Sequence, residues 1–262
     1  MTASPGRWDD LATRLVSGAT VAVIGLTAVW IGGATFHVFA ALICGAMVWE
    51  LARMLGGGPM SIWVALAAGL ALFVAGLLPP GFALPLLIAP ALAGVGRLEH
   101  NRTTFALFTV GILLAGYGLM LLRDDFGFTW MIWLALIVIA TDICGYFAGR
   151  FIGGPKFWPR VSPKKTWSGT TAGWLGAALI AVGFVLFAGA GWQLVGISVA
   201  LSMASQLGDI AESAVKRKAG VKDSSNLIPG HGGVFDRFDA MLGASLFLLL
   251  VEQLVDFPPV GM

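Results

Sequence analysis

This sequence has very little charge. Of its 262 residues, 16 are Lys or Arg and 14 are Asp or Glu, so 11% of positions are charged, against about 25% in an ordinary soluble domain. With 58% hydrophobic residues and a mean hydropathy of +0.87, the apolar surface exceeds what a core of this size can hide. A soluble globular protein is thereby excluded. Cysteine is nearly absent: Cys44 and Cys144 both lie inside apolar runs, which excludes a disulfide framework and a thiolate metal cluster. A net charge of +2 lacks the strongly basic footprint of a nucleic-acid binder. No Gly-x-x-x-x-Gly-Lys-Ser/Thr stretch occurs, so a P-loop is not supported. What is plentiful is glycine, 36 residues, and tryptophan, 10 residues; membrane helices and their interfaces are enriched in both.

The charges are also unevenly placed. Charge-free stretches cover residues 15–49, 54–96, 103–122, 126–141 and 166–208. One crossing needs about 20 residues, so the longest must fold back on themselves. Gly32-Gly33, Pro79-Pro80-Gly81 and Gly189-Ala190-Gly191 are the expected turns. Backbone groups in lipid must be satisfied within their own segment, so the pattern predicts an all-α, polytopic integral membrane protein. About nine transmembrane helices are expected, near 15–31, 34–53, 60–78, 82–96, 104–122, 128–148, 170–188, 192–208 and 240–256. With nine crossings and a cytoplasmic N-terminus, 15 of the 16 basic residues fall inside and only Arg123 outside, the asymmetry of the positive-inside rule. Arg7 and Arg14 before the first apolar run imitate a signal peptide, but further membrane segments follow at once, and a retained first span is expected.

Ten charged residues lie between Asp209 and Asp239, and six more between Asp142 and Lys165. Two solvated loops are the plain reading. Three features speak for a site instead. Asp142, Asp209 and Asp239 sit at the expected ends of spans, where acidic residues are costly and mark function by default. Ser162-Pro163-Lys164-Lys165-Thr166 and Ile228-Pro229-Gly230-His231-Gly232-Gly233 combine a constrained backbone with phosphate-binding side chains. Lysines and aspartates also adjoin, as in Lys222-Asp223 and Asp236-Arg237-Phe238-Asp239. Phosphoryl or nucleotidyl transfer requires that mixture: carboxylates for Mg²⁺, cations for phosphate, and glycine turns that let N–H groups approach phosphate oxygens.

Ser213-Ala214-Val215-Lys216-Arg217, Lys222-Asp223, Pro229-Gly230-His231-Gly232-Gly233 and Asp236-Arg237-Phe238-Asp239 together resemble the signature of the phosphatidate cytidylyltransferase (CDP-diacylglycerol synthase) family. Every fixed position over these 27 residues is filled. Upstream, Thr141-Asp142, Gly145-Tyr146-Phe147, Gly149-Arg150 and 162–166 also look like the family pattern, while Glu50, Tyr117 and Arg123 fit it more weakly. One departure is Ser224-Ser225, where many relatives carry a bulkier residue and a glycine.

The resemblance implies a homodimeric helical enzyme that joins CTP to phosphatidate in the inner membrane, with its active site facing the cytoplasm. Residues 1–125 would supply about five N-terminal spans. Residues 126–262 would form the catalytic region, with cytoplasmic loops 149–169 and 209–239. The implied metal is Mg²⁺, with a second, monovalent cation left open. Asp209 and Asp236 are its first expected ligands, and Asp239, Asp223 and Asp142 follow. The phosphate of phosphatidate is already anionic, so repulsion between anions is the main barrier, and metal and cations are expected to lower it. Lys164, Lys165, Lys222 and Arg237 are expected on substrate phosphates, with Ser162, Thr166, Lys216, Arg217, Gly232 and Gly233 beside them. His231 either donates to a phosphate oxygen or braces the glycine turn. His37 is expected as a packed polar residue. Gly145, Gly149 and Gly153, at four-residue spacing, predict close helix packing, with a dimer contact as a second reading. Two other functions fit a charged membrane protein: a CTP-dependent lipid kinase, which would release CDP, and an ion-coupled transporter, which would show inverted repeats.

Overall fold

The computed structural model describes residues 7–255 with Phe257 and Pro258, and side chains from Thr13 onward; the remaining terminal residues and the side chain of Arg7 lie outside the described residues. Helices dominate. In chain order they are α1 (Arg7–Ile31), α2 (Gly33–Met54), α3 (Met60–Ala75), α4 (Pro80–Val95), α5 (Arg102–Leu121), α6 (Gly127–Phe151), α7 (Trp167–Ala188), α8 (Gln193–Lys218) and α9 (Phe235–Leu254). They match the expected apolar segments one for one. A short hairpin, β1 (Lys156–Trp158) with β2 (Ser162–Thr166), is the sheet among the described residues.

Five helical stretches among the described residues are long and apolar enough to cross a membrane: Thr13–Ile31, Gly33–Met54, Arg102–Phe151, Trp167–Ala188 and Gln193–Lys218. Helices α3 and α4 are apolar but have 16 residues each, about 24 Å at 1.5 Å per residue. The stretch Arg102–Phe151 joins α5 to α6 through a π-helical turn, Leu122–Phe126. The expected outer loop around Arg123-Asp124-Asp125 is therefore a widened helical turn. Large apolar side chains such as Trp30, Leu179 and Phe187 are exposed, as lipid-facing surfaces of an integral membrane protein must be.

The chain divides into two compact units. The first comprises the chain up to Leu113 together with Ala219–Arg237; the second runs from Leu114 to Lys218 and resumes at Phe238. In the first unit α2 packs on α3 through small residues. A Cβ added at Gly45 would stand 3.2 Å from the Ala65 carbonyl oxygen, and one at Gly69 would stand 3.0 Å from that of Ala41. Met47, Leu51, Leu72, Leu87 and Phe105 are fully buried in this unit, and His37 is buried as a packed polar residue.

In the second unit α6 and α7 meet at glycines. A Cβ at Gly145 would stand 3.3 Å from the Gly169 carbonyl oxygen, and one at Gly173 would stand 3.1 Å from that of Thr141. Close approach lets helices exchange hydrogen bonds, which serve as glue where burial of apolar groups gives no drive. Thr141 Oγ1 donates to Ser202 Oγ at 2.7 Å, Trp133 Nε1 to Ser198 Oγ at 3.2 Å, and Trp174 Nε1 to Gln206 Oε1 at 3.0 Å. Gly145 and Gly149 thus pack within the chain, against α7. Gly153 does not join them: with φ +67° it follows the end of α6.

Candidate active site

Residues 149–169, expected as a loop, comprise the end of α6, the hairpin and the start of α7. Pro163 hides β2 from a sequence reading, because proline argues against a strand unless that strand is an edge. In a two-stranded ribbon both strands are edges, and Lys156 pairs with Thr166 and Trp158 with Ser162. Thr166 then caps α7, its Oγ1 accepting from Gly169 N at 3.2 Å, the usual service of a threonine at a helix start.

The hairpin, α6, α7 and α8 enclose a cavity of about 570 Å³. Asp142, Tyr146, Arg150, Lys164, Lys165, Thr166, Gln206 and Asp209 line it. Arg150 donates to the Tyr146 hydroxyl at 2.6 Å. Ser162 is half-buried in β2 and is not among the lining residues. Lys165 reaches across to α8: its Nζ lies 2.6 Å from Asp209 Oδ2 and donates to the Gln206 carbonyl at 3.2 Å. Three cations, Arg150, Lys164 and Lys165, share one chamber with two carboxylates, Asp142 and Asp209.

Asp209 does not end α8, as the charge pattern implies; the helix continues to Lys218. The same face therefore carries Glu212 three residues on, and Lys216 four beyond that. Helix α9 approaches α8 at a pair of glycines. A Cβ at Gly208 would stand 3.0 Å from Gly243 Cα and would also strike the Asp239 carbonyl oxygen. Because neither glycine carries a side chain, Asp239 comes up beside Asp209 and Glu212. One carboxylate oxygen from each of the three lies within 4.8 Å of the others. Glu212 is 1% exposed and pairs with Lys216 Nζ at 2.6 Å, and Ser213 Oγ donates to Asp209 Oδ1 at 3.4 Å.

Three carboxylates this close repel one another, and the two lysines offset only part of that charge. Hard, convergent oxygen donors suit Mg²⁺, so the residues present fit the expected ion. Glu212 is absent from the expected ligands, although its spacing of three from Asp209 and four from Lys216 is a readable signal. Replacing Gly243 by Ala is expected to push α8 and α9 apart, costing roughly 1–3 kcal/mol. Thermal unfolding with and without Mg²⁺ checks this: a lower midpoint and a smaller metal-dependent rise are the expected result.

Asp142 and Asp236 do not belong to that triad. Asp142 is exposed on α6 and lines the cavity. Asp236, in the first turn of α9, is engaged in the loop before it. Its Oδ2 accepts from Gly233 N at 2.8 Å, Ser224 N at 2.8 Å and Ser224 Oγ at 2.9 Å. A second carboxylate completes this arrangement. Glu50, fully buried near the end of α2, accepts from Val234 N at 2.9 Å, Phe235 N at 2.7 Å, Ser225 Oγ at 2.5 Å and Ser224 Oγ at 3.1 Å. The N–H groups at the start of α9 carry partial positive charge. The N–H of Gly233, expected beside phosphate, and those of Val234 and Phe235 already donate to protein carboxylates. The serines at 224 and 225, the departure from the family pattern, are both partners of Glu50.

The rest of the loop is a tight turn. His231 N donates to the Ile228 carbonyl at 2.9 Å, and Ile228 N to that of Gly232 at 2.8 Å. Gly230, with φ +75° after Pro229, occupies the position of a type II turn that favours glycine. Arg237 anchors the turn from α9: Nη2 and Nε donate to the His231 carbonyl at 2.7 and 3.1 Å. Lys222 and Asp223 are exposed, as is Arg217 near the end of α8.

Residues 12–255 match the model of the cytidylyltransferase family. A phosphatidate cytidylyltransferase of Brucella suis is 37% identical across 96% of this chain and 97% of its own length. One from Bacillus subtilis is 30% identical across 94% of this chain and 98% of its own. A third, from Staphylococcus saprophyticus, is 38% identical over 55% of this chain.

Proposed function

The chain belongs to the cytidylyltransferase family, and we infer from that premise that it is a phosphatidate cytidylyltransferase. The cytidylyl group of CTP passes to phosphatidate, giving CDP-diacylglycerol and pyrophosphate for phospholipid synthesis. The observation that carries this reading is the convergence of Asp209, Glu212 and Asp239, with Asp209 also lining a cavity that holds Lys164, Lys165 and Arg150.

A phosphate oxygen of phosphatidate attacks the α-phosphorus of CTP in line, and pyrophosphate leaves. Both reactants are anions, so the site's task is to bring them together and to hold the charge that shifts to the leaving group. Asp209, Glu212 and Asp239 would hold Mg²⁺, which when bound supplies Lewis-acid stabilisation of phosphate oxygens. Arg150, Lys164 and Lys165 bind phosphates in the cavity. Lys165, paired with Asp209 in this structure, can turn to a substrate phosphate once Asp209 has another counter-charge. Lys222, Asp223 and Arg217 contribute from exposed positions. Glu50 and Asp236 hold the signature loop in shape.

We further propose nine crossings, with the N-terminus and the site on the cytoplasmic side of the inner membrane, most of the catalytic residues within 126–262, and a homodimeric assembly. The 15-to-1 division of basic residues supports that orientation. Single cysteines at Lys222 and Arg123, probed from either side in oriented vesicles, should label from opposite faces; labelling from one face overturns it.

The reaction is tested by its products. Purified protein with CTP, Mg²⁺ and phosphatidate vesicles should release pyrophosphate and form CDP-lipid, and chelation should stop it. Release of CDP instead would identify a lipid kinase. Absence of turnover with ion-dependent uptake would identify a transporter. Lys164→Ala should raise the KM for substrate about tenfold or more, with less effect on kcat, if Lys164 binds phosphate alike in the ground and transition states.

A further inference from the structure

Where α2 meets α3 the surface is grooved. Gly45 and Gly69 carry no side chain, so the helices meet along a floor of backbone. Val38, Leu42 and Trp49 of α2 and Ile62, Leu66 and Phe73 of α3 rise beside that floor, and Leu227 of the signature loop joins them. The cavity measures about 630 Å³, and apart from the indole N–H of Trp49 every side chain lining it is apolar. A second recess, of about 660 Å³, adjoins it: Trp49 and Ile62 line both, and Arg53, Gly56, Gly58 and Pro59 complete the second. Its chemistry is different. Arg53 is exposed and lies over the Trp49 ring at 4.9 Å, and no carboxylate pairs with it among the described residues. At Gly56 and Gly58 the backbone is bare, with positive φ and nothing within 4 Å of where a Cβ would stand.

The dimensions and the charge select the occupant. Val38 and Trp49 are eleven residues apart on α2, about 16 Å at 1.5 Å per residue. That is about half of the roughly 30 Å hydrocarbon core, the depth of one leaflet and so the reach of one acyl chain. Trp49 closes a charge-free stretch and Arg53 follows one turn later, the placement of residues that meet the headgroups at the end of a crossing. A lipid brings an apolar chain and an anion in one molecule, at that spacing. We propose that α2 and α3 hold one anionic glycerophospholipid, with an acyl chain along the Gly45–Gly69 floor and its phosphate at Arg53. The site does not depend on the assigned reaction. The apolar walls read no headgroup, so the chain gives affinity. The guanidinium, whose paired N–H donors match phosphate oxygens, gives preference for a lipid of net negative charge over a zwitterionic one.

Native mass spectrometry of the purified full chain, in micelles with graded phosphatidylglycerol or phosphatidylcholine, reads occupancy without turnover. Wild type should hold one phosphatidylglycerol about tenfold more readily than phosphatidylcholine, the size of one charge-assisted contact. Arg53→Gln should bring the two lipids to parity, while Arg97→Gln, at an exposed arginine that does not line the groove, should keep the preference. Ala46→Phe, which fills the groove and leaves the charge in place, should lose bound lipid of both kinds. Equal retention of the two lipids by wild type, or an Arg53→Gln protein that keeps the preference, overturns the proposal. An Ala46→Phe protein that turns from dimer to monomer with its lipid unchanged also overturns it, because a second copy would then cover the groove. Arg53 is exposed, so its variant decides the matter even where Ala46→Phe does not fold. Phosphatidate in place of phosphatidylglycerol identifies the source of the phosphate. Stronger retention marks a holding site for the substrate, equal or weaker retention a site for anionic lipid in general, and both support the proposal. A protein that holds the lipid but transfers no cytidylyl group would count against the assigned reaction and not against this site.

Discussion

Asp209→Asn is expected to cut cytidylyl transfer by on the order of 10²–10³-fold or more while leaving the protein folded and no less stable without metal. The two halves of that result have one cause. Asp209, Glu212 and Asp239 crowd their oxygens within 4.8 Å, and three like charges at that distance destabilise one another unless a cation lies between them. Asparagine keeps the shape of the side chain and removes one charge. It weakens the ion pair with Lys165, yet it also relieves repulsion. The metal-free midpoint of unfolding should therefore hold or rise. Mg²⁺ held by the triad should stabilise wild type, as any ligand that binds the folded state preferentially does; in Asp209→Asn that rise should vanish. Unfolding curves across a Mg²⁺ titration, together with pyrophosphate release, check both halves. An unchanged Mg²⁺-dependent shift with normal turnover would remove Asp209 from the metal site. Glu212→Gln is expected to behave alike in turnover, but it removes the 2.6 Å ion pair that the buried Glu212 makes with Lys216, so its metal-free stability should fall.

The membrane helices were legible because lipid imposes a rule that composition obeys: a crossing needs an unbroken apolar run. The nine expected segments correspond to helices α1 to α9, and five helical stretches among the described residues are long and apolar enough to cross a membrane. The same rule misleads where a helix outruns its apolar stretch. Charge at Asp209 marks the end of the apolar run, yet the backbone hydrogen bonds of α8 continue through Lys218, since water tolerates a polar helix as lipid does not. Glu212 was missed for that reason, being read as part of a loop when it lies one turn along a helix. The hairpin was hidden by Pro163, a residue that usually argues against strands. Glu50 was marked only weakly, through the family resemblance, and its role was hidden by distance. Its partners Ser224 and Phe235 lie 174 and 185 residues away, and no local pattern connects a single glutamate at the end of an apolar helix to a loop so remote.

Glu50→Gln, the most conservative change available there, is expected to be nearly as damaging as Glu50→Ala. The carboxylate presents only acceptors, and its surroundings present only donors: Val234 N and Ser225 Oγ to Oε1, Phe235 N and Ser224 Oγ to Oε2. An amide has one oxygen and one NH₂ group. Whichever way the amide is turned, one backbone N–H at the start of α9 faces another donor. Serine hydroxyls can rotate to accept, but a backbone N–H cannot. Either variant also removes the negative charge that offsets the positive end of the α9 dipole. Hydrogen bonds to charged groups contribute about 1.5–3 kcal/mol each, and orphaned buried donors cost about 1–3 kcal/mol. A loss of roughly 3–5 kcal/mol is therefore expected for either substitution. Ser225→Ala, which removes one of the four donors, should cost about 1–2 kcal/mol. The Ser225→Ala and Glu50→Ala losses should fall short of additive when combined, since both remove the same bond. Denaturation in detergent, run as this double-mutant cycle, gives the numbers. Wild-type stability in Glu50→Gln would mean that the carboxylate does not hold the loop. The consequence for function follows from the sharing of Ser224 Oγ between Glu50 and Asp236. When Glu50 releases the loop, Asp236 loses the ordered donor between them, and the turn carrying His231 and the Arg237 anchor loses its footing. Turnover in Glu50→Gln should consequently fall even under conditions where the variant remains folded.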